Sequence, residues 1–158
     1  DDVVIVSPDH GGTTRARKFA LYFDAPIAIV DKRRPRPNVA EVMNIIGEVK
    51  DKNVIIVDDI IDTAGTISIA ANALKEKGAK DIYVACSHPI LSHPANERIE
   101  ASAIKEVVCT NSIKLSEDRK TSKIVQLSIA KIIGKGILNI IDGKPISDLF
   151  LYDPTVRY

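Results

Sequence analysis

Two cysteines, no broad excess of charge of either sign and no apolar run of bilayer-spanning length already exclude several functions for this chain of 158 residues. Cys86 and Cys109 lie far apart among apolar, strand-like residues, so they read as buried free thiols without a disulfide, metal or redox role. Lys plus Arg number 22 against 21 Asp plus Glu. That balance provides no general cationic surface for nucleic acid. No stretch reaches the roughly 18 apolar residues of a membrane span, and the start DDVVIVSP lacks the basic region and cleavage pattern of a signal peptide. The expectation is a soluble, cytoplasmic protein with no nucleic-acid or membrane partner. His10, His88 and His93 show no zinc spacing, and the latter two read as ordinary residues of a Pro-punctuated loop, SHPILSHPA. GEVKDKN and GKGILN lack the Gly-x-x-x-x-Gly-Lys-Ser/Thr spacing of a Walker loop. Internal repeats, low-complexity tracts and long linkers are also missing.

What remains is an alternation of apolar runs. Val3 to Val6, Ala25 to Val30, Val54 to Val57, Ile82 to Ala85, Glu106 to Cys109 and Ile124 to Leu127 read as strands. Ala16, Phe19, Ala20 and Phe23 recur at helical spacing, as do Ile67, Ala71 and Leu74, with Gly78 as a C′ glycine. Ile129 to Ile141 reads as a closing helix weakened by Gly134 and Gly136, and Val39 to Val49 fits helix or strand equally. Strands separated by helices imply right-handed crossovers and a mainly parallel sheet covered on both faces. Ligands then bind at the carboxyl ends of the strands, near a topological switch point.

The most informative segment is VIIVDDIIDTAGT, residues 54 to 66. A buried strand runs into Asp58 and Asp59, whose carboxylates can accept hydrogen bonds from vicinal sugar hydroxyls directly or through a hydrated cation. Asp62 leads into Thr63, Ala64, Gly65 and Thr66, small residues that open a helix and expose backbone N–H groups to a phosphate. Upstream, SPDHGGTTRAR follows the first strand. Asp9 there is a candidate magnesium or water-shell ligand, and Thr13 a candidate helix cap. Lys32, Arg33, Arg34 and Arg36 lie among Pro35 and Pro37, which reads as an exposed loop after the second strand. Cations there can close over transferring phosphoryl groups and balance charge developing in the transition state.

The acidic segment resembles the 5-phosphoribosyl 1-diphosphate (PRPP) motif shared by type I phosphoribosyltransferases and ribose-phosphate pyrophosphokinases, the PRPP synthetases. Together with SPDHGG, DKRRPRPNVAEVMNIIG, SHPILSHPANERI and TNSIKL, it makes Val3 to Phe150 resemble the carboxyl-terminal half of a bacterial-type PRPP synthetase. The resemblance implies an α/β fold of the type I phosphoribosyltransferase kind over residues 1–150, with a tail, 151–158, of no assigned role. It implies Lys32 and Arg34 as catalytic, Asp58 to Thr66 as the ribose 5-phosphate site, Asp9 near Mg2+, and ribose 5-phosphate, PRPP and ATP as ligands. A homo-oligomer, the hexamer of the family, and an absent amino-terminal half that would supply most nucleotide contacts are also implied. Asp1 in place of Met at the start suggests an excised domain. Two other readings stand beside this one. A phosphoribosyltransferase would need a base-recognising hood, and a silent, synthetase-like regulatory protein would be expected to lose the loop cations. One departure is Ser92-His93-Pro94 where the family usually has Ser-Gly-Pro.

Overall fold

The computed structural model describes residues 2–33, 42–119 and 121–149. Seven strands form one sheet in the order β3-β2-β1-β4-β5-β6-β7. They are β1 (Val3–Ser7), β2 (Ile27–Arg33), β3 (Val42–Ile46), β4 (Asn53–Ile61), β5 (Ile82–Pro89), β6 (Glu106–Thr110) and β7 (Ile124–Leu127). All neighbours pair in parallel except β2 and β3. The ambiguous segment before Val49 thus becomes, over its described part, an antiparallel edge strand rather than a helix. Strand order reverses between β1 and β4, where the chain first winds outward to β3 and then returns to wind the other way. A cleft forms at such a reversal because the adjoining crossovers leave in opposite directions.

Helices α1 (Thr13–Leu21), α2 (Gly65–Glu76), α3 (Ala95–Ala101) and α4 (Ala130–Ile141) follow the strands. Ile67, Ala70, Ala71 and Leu74 of α2 and Ile99 of α3 pack with Val4, Val6, Ile56 and Val84 on one face. Full burial of such a side chain contributes about 1.5–3 kcal/mol, and this face carries most of the core. On the other face Ala16 and Ala20 of α1 pack with Ile5 and Val57.

Cover on that second face is incomplete, contrary to expectation. Val125 and Leu127 on β7 are exposed, and α4 buries none of its described residues. Its glycines do not interrupt it. The apolar stripe read through Phe23 is shorter than its spacing suggested: α1 ends at Leu21, and Phe23 is exposed beyond it. Gly78 does close α2, at φ +88° just after the cap Lys77, where the absence of a Cβ makes the left-handed conformation inexpensive. Cys86 and Cys109 are free and buried, as their apolar surroundings predicted.

Candidate active site

Asp9 follows β1, and the turn that holds it is built inward from Ser7. Ser7 is fully buried, and its hydroxyl donates to the Asp9 carbonyl at 2.6 Å. The Gly12 N–H donates to Asp9 Oδ1 at 2.9 Å. A Cβ on Gly12 would stand 2.7 Å from Ser7 Oγ, so this glycine is required for room, its φ being an ordinary −79°. Gly12 rather than Thr13 occupies the cap position of α1; the Thr13 hydroxyl instead donates back to the His10 carbonyl at 2.8 Å. His10 Nε2 in turn meets Oδ1 of the buried Asp31 at 2.7 Å. This contact ties the first turn to β2 just before Lys32. Asp31 carried the same signal as Asp58, an acid at the end of an apolar strand run, and sequence reasoning passed over it.

The acidic pair lies inside β4, not beyond it, because the strand continues to Ile61 and pairs Ile60 and Ile61 with His88 and Pro89. The same pairing places His88 in β5 rather than in a loop, with Nδ1 2.9 Å from Ser112 Oγ. Oδ1 of Asp58 and of Asp59 each accepts the next backbone N–H at 2.9 Å. Arg15, 43 residues away on α1, bridges both acids: Nη1 lies 3.2 Å from Asp58 Oδ1, and Nη2 bonds Asp59 Oδ2.

The two carboxyls separate in acidity. Burial pushes Asp58 up to about 6, helped by the adjacent Asp59 carboxylate, against the lowering effects of the Asp59 N–H and Arg15. For Asp59 desolvation is the largest single effect and works upward too, but its hydrogen bond with Asp58, the Arg15 charge and two backbone N–H groups together outweigh it and hold it below the usual carboxylate value. Arg15 was missed in the sequence. A cation in the first turn of a helix opposes the helix dipole, so Arg15 at the start of α1 signalled an acidic partner.

Beyond the pair, Asp58 and Ile60 to Ile67 line a cavity of about 190 Å³, with no cationic side chain among the described residues that line it. The Ile61 carbonyl receives the N–H groups of Ile90 and Leu91 at 2.9 and 3.1 Å, which fixes the loop at its start. Ala64 takes the left-handed conformation, φ 57° and ψ 10°, and α2 begins at Gly65. A left-handed alanine costs about 1–2 kcal/mol. The loop therefore holds a costly conformation in which the backbone of Thr63 to Thr66 borders the cavity.

A hard divalent cation of the magnesium kind is bound by one or two carboxylates together with water and substrate phosphates. Asp9 fits that donor set, being exposed and using Oδ1 for Gly12. No group of three or more His, Cys, Asp or Glu is arranged for a metal among the described residues. Of the two cations expected to be catalytic, Lys32 lies within β2, which runs to Arg33, and not in a loop after it; pairing with β3 extends the strand beyond its apolar run. Arg34 lies outside the described residues, as does the tail 151–158. His93 is exposed, with Nδ1 3.3 Å from Glu97, and its φ is not positive. The position does not require glycine geometry.

The model of the family described as "Phosphoribosyl synthetase-associated domain" matches residues 28–151. The chain belongs to the phosphoribosyl synthetase-associated domain family. Among its relatives, Ribose-phosphate pyrophosphokinase 2 of Enterococcus faecalis is 63% identical over 150 residues, covering 95% of this chain and 46% of that protein. The chain thus spans about half the length of the curated relatives it matches. Phosphoribosylpyrophosphate synthetase from Mycobacterium smegmatis superposes with a TM-score of 0.84 at 37% identity, over 90% of this chain and 46% of that one. Orotate phosphoribosyltransferase from Aeropyrum pernix shares the fold, with a TM-score of 0.56 and 16% identity over 86% of this chain and 65% of its own. The phosphoribosyltransferase-like fold of this phosphoribosyl synthetase-associated domain agrees with the expectation drawn from its motifs.

Proposed function

We propose that the chain is the ribose-phosphate-binding half of a ribose-phosphate diphosphokinase, the enzyme that transfers the terminal diphosphate of ATP to the anomeric hydroxyl of ribose 5-phosphate, giving PRPP and AMP in nucleotide biosynthesis. The observation that carries this reading is the acidic pair held by Arg15 beside the helix-opening cavity. Asp59, kept ionised, accepts from a sugar hydroxyl; Asp58 does so with a carboxyl whose value of about 6 leaves it mostly ionised near neutrality. The 5-phosphate sits against the backbone of Asp62 to Thr66, where N–H groups and the helix dipole favour an anion. Lys32 and Arg34 balance charge on the transferring group. Asp9 is the residue that would hold Mg2+, which shields the charge of the diphosphate when bound.

ATP is the second substrate, and the adenine pocket is assigned to protein beyond these 158 residues. The same reading makes the whole protein a cytoplasmic homo-oligomer, the hexamer of the family, and the apolar side chains exposed along α4 suit burial against further protein. It includes no nucleic-acid or membrane partner. No helix among the described residues is long and apolar enough to cross a membrane.

The test is titration calorimetry with ribose 5-phosphate in magnesium. Replacing both Asp58 and Asp59 with Asn preserves size and removes two charges, and affinity should fall about 10-fold or more, equivalent to about 1.4 kcal/mol. Equal affinity in the double variant would refute the assignment. Transfer from PRPP to a free nucleobase would instead show a phosphoribosyltransferase.

A further inference from the structure

We infer that Arg98 on α3 is a positioning residue for the 5-phosphate, holding the Thr63 to Gly65 backbone in its anion-accepting shape; the inference rests on the ribose-phosphate reading of this site. Arg98 Nη1 donates to the Thr63 carbonyl at 2.9 Å across 35 residues of sequence. Thr63 directly precedes Ala64, the left-handed residue of the loop. Fixing the Thr63 carbonyl fixes the peptide plane that enters Ala64, and so the direction in which the following N–H groups point. The guanidinium also places a full positive charge beside the first turn of α2, a turn that contains no acidic residue of its own.

The support for Arg98 is itself built. Ala95 and Ile99 bury one side of α3 in the core, leaving Arg98 exposed on the other. Lys123 Nζ donates to the carbonyls of Ile99, Glu100 and Ser102 at 3.1, 3.1 and 3.4 Å, a cation at the helix C-terminus where the dipole favours one. Asn72 Oδ1 on α2 accepts the Ala103 N–H at 2.9 Å. Both helices are thereby held in one relation, and the guanidinium spans the gap between them at the loop.

This arrangement also accounts for Gly65. Its φ is not positive, so conformation does not demand glycine there. A Cβ would instead stand 3.3 Å from Arg98 Nη1, within the space the guanidinium uses. A methyl at residue 65 would displace the end of a flexible side chain, at little cost to the fold but at the expense of the Thr63 contact.

The experiment measures binding of ribose 5-phosphate and, separately, of inorganic phosphate to the wild-type chain and to Arg98→Ala, Arg98→Lys, Gly65→Ala and the Arg98→Ala/Gly65→Ala double variant. Lys105→Ala, at an exposed ion pair with Asp81, controls for loss of one charge. Arg98→Ala should weaken both ligands about 10-fold, the scale of one charged hydrogen bond, while Asp58→Asn weakens ribose 5-phosphate alone. Arg98→Lys should recover part of the loss, and Gly65→Ala should cost much less in the Arg98→Ala background than in wild type. A structural role alone would not produce that pattern across two ligands in folded variants, and Arg98→Lys and Gly65→Ala carry the test should Arg98→Ala fail to fold. Ribose 5-phosphate binding by wild type with equal affinity in the Arg98 and Gly65 variants would overturn this inference alone; no binding by wild type would overturn the ribose-phosphate reading with it.

Discussion

Arg15 Nη1 lies 3.2 Å from Asp58 Oδ1, and its Nη2 reaches Asp59 as well. One guanidinium from α1 thus adds to the backbone N–H groups that favour the charged form of two adjacent carboxylates on β4, and losing it would shift the pair further towards protonation.

That relation predicts a pH dependence. Asp58 titrates at about 6 in the folded chain against 3.8 as a free group. A raised value means that its contribution to stability is fully present below pH 3.8 and is lost as pH rises through about 6, above which a partly buried charge opposes folding. Asp58→Asn should therefore raise the melting temperature at about pH 8, and the gain should shrink between pH 6 and 4. Arg15→Ala should move the Asp58 titration, followed by carboxyl-carbon NMR, further upward. An Asp58→Asn gain independent of pH would contradict this account.

Gly12→Ala should destabilise the fold by about 1–3 kcal/mol, the usual cost of overpacking. Its methyl would meet a serine hydroxyl that is fully buried and bonded to the Asp9 carbonyl. Adding Ser7→Ala should restore part of the loss, measured as the denaturant midpoint. Equal midpoints for wild type and Gly12→Ala would show that the turn has room the geometry denies.

In the full-length enzyme implied by the proposal, Lys32→Ala and Arg34→Ala should lower turnover far more than they raise the Michaelis constants, because charge balance needed mainly in the transition state acts on rate. Arg33→Ala should be milder. Steady-state kinetics decide this, and an Arg33 effect as large as that of Arg34 would invalidate the assignment of roles along the segment.

The 158-residue chain should bind ribose 5-phosphate yet release little or no AMP from ATP. Without the nucleotide-positioning half, the reaction forgoes roughly 7–11 kcal/mol of proximity advantage, which Lys32 and Arg34 cannot replace. Comparing AMP release by this chain and by the full-length enzyme at equal concentration checks it; similar rates would place the nucleotide site within these residues.

The order strand, acid pair, third acid, small residues and helix was legible at 54 to 66 because each step is local. β-branched residues favour a buried strand, and small residues leave a helix start open. The parallel sheet was legible from the alternation of apolar runs, and the free thiols from their surroundings. Local pattern failed where pairing with a neighbour outweighed it. β4 runs past its apolar residues to Ile61 because β5 continues beside it, and β2 carries Asp31 to Arg33 because β3 returns antiparallel against it.

The sequence by itself determined six of the seven described strands, the mainly parallel sense of the sheet and the small, acidic character of the segment that ends β4 and opens α2, since these depend on residue type and short spacing, whereas the antiparallel β3 emerged only from pairing. Only the tertiary structure decided that Arg15 would hold Asp58 and Asp59, that Arg98 would hold Thr63, and that the left-handed residue would be Ala64 rather than Gly65. The first two contacts cross 43 or more and 35 residues of chain, and each exists only once a helix has docked through buried side chains that lie on its other side. Contact between distant residues is set by that docking and not by spacing in the sequence.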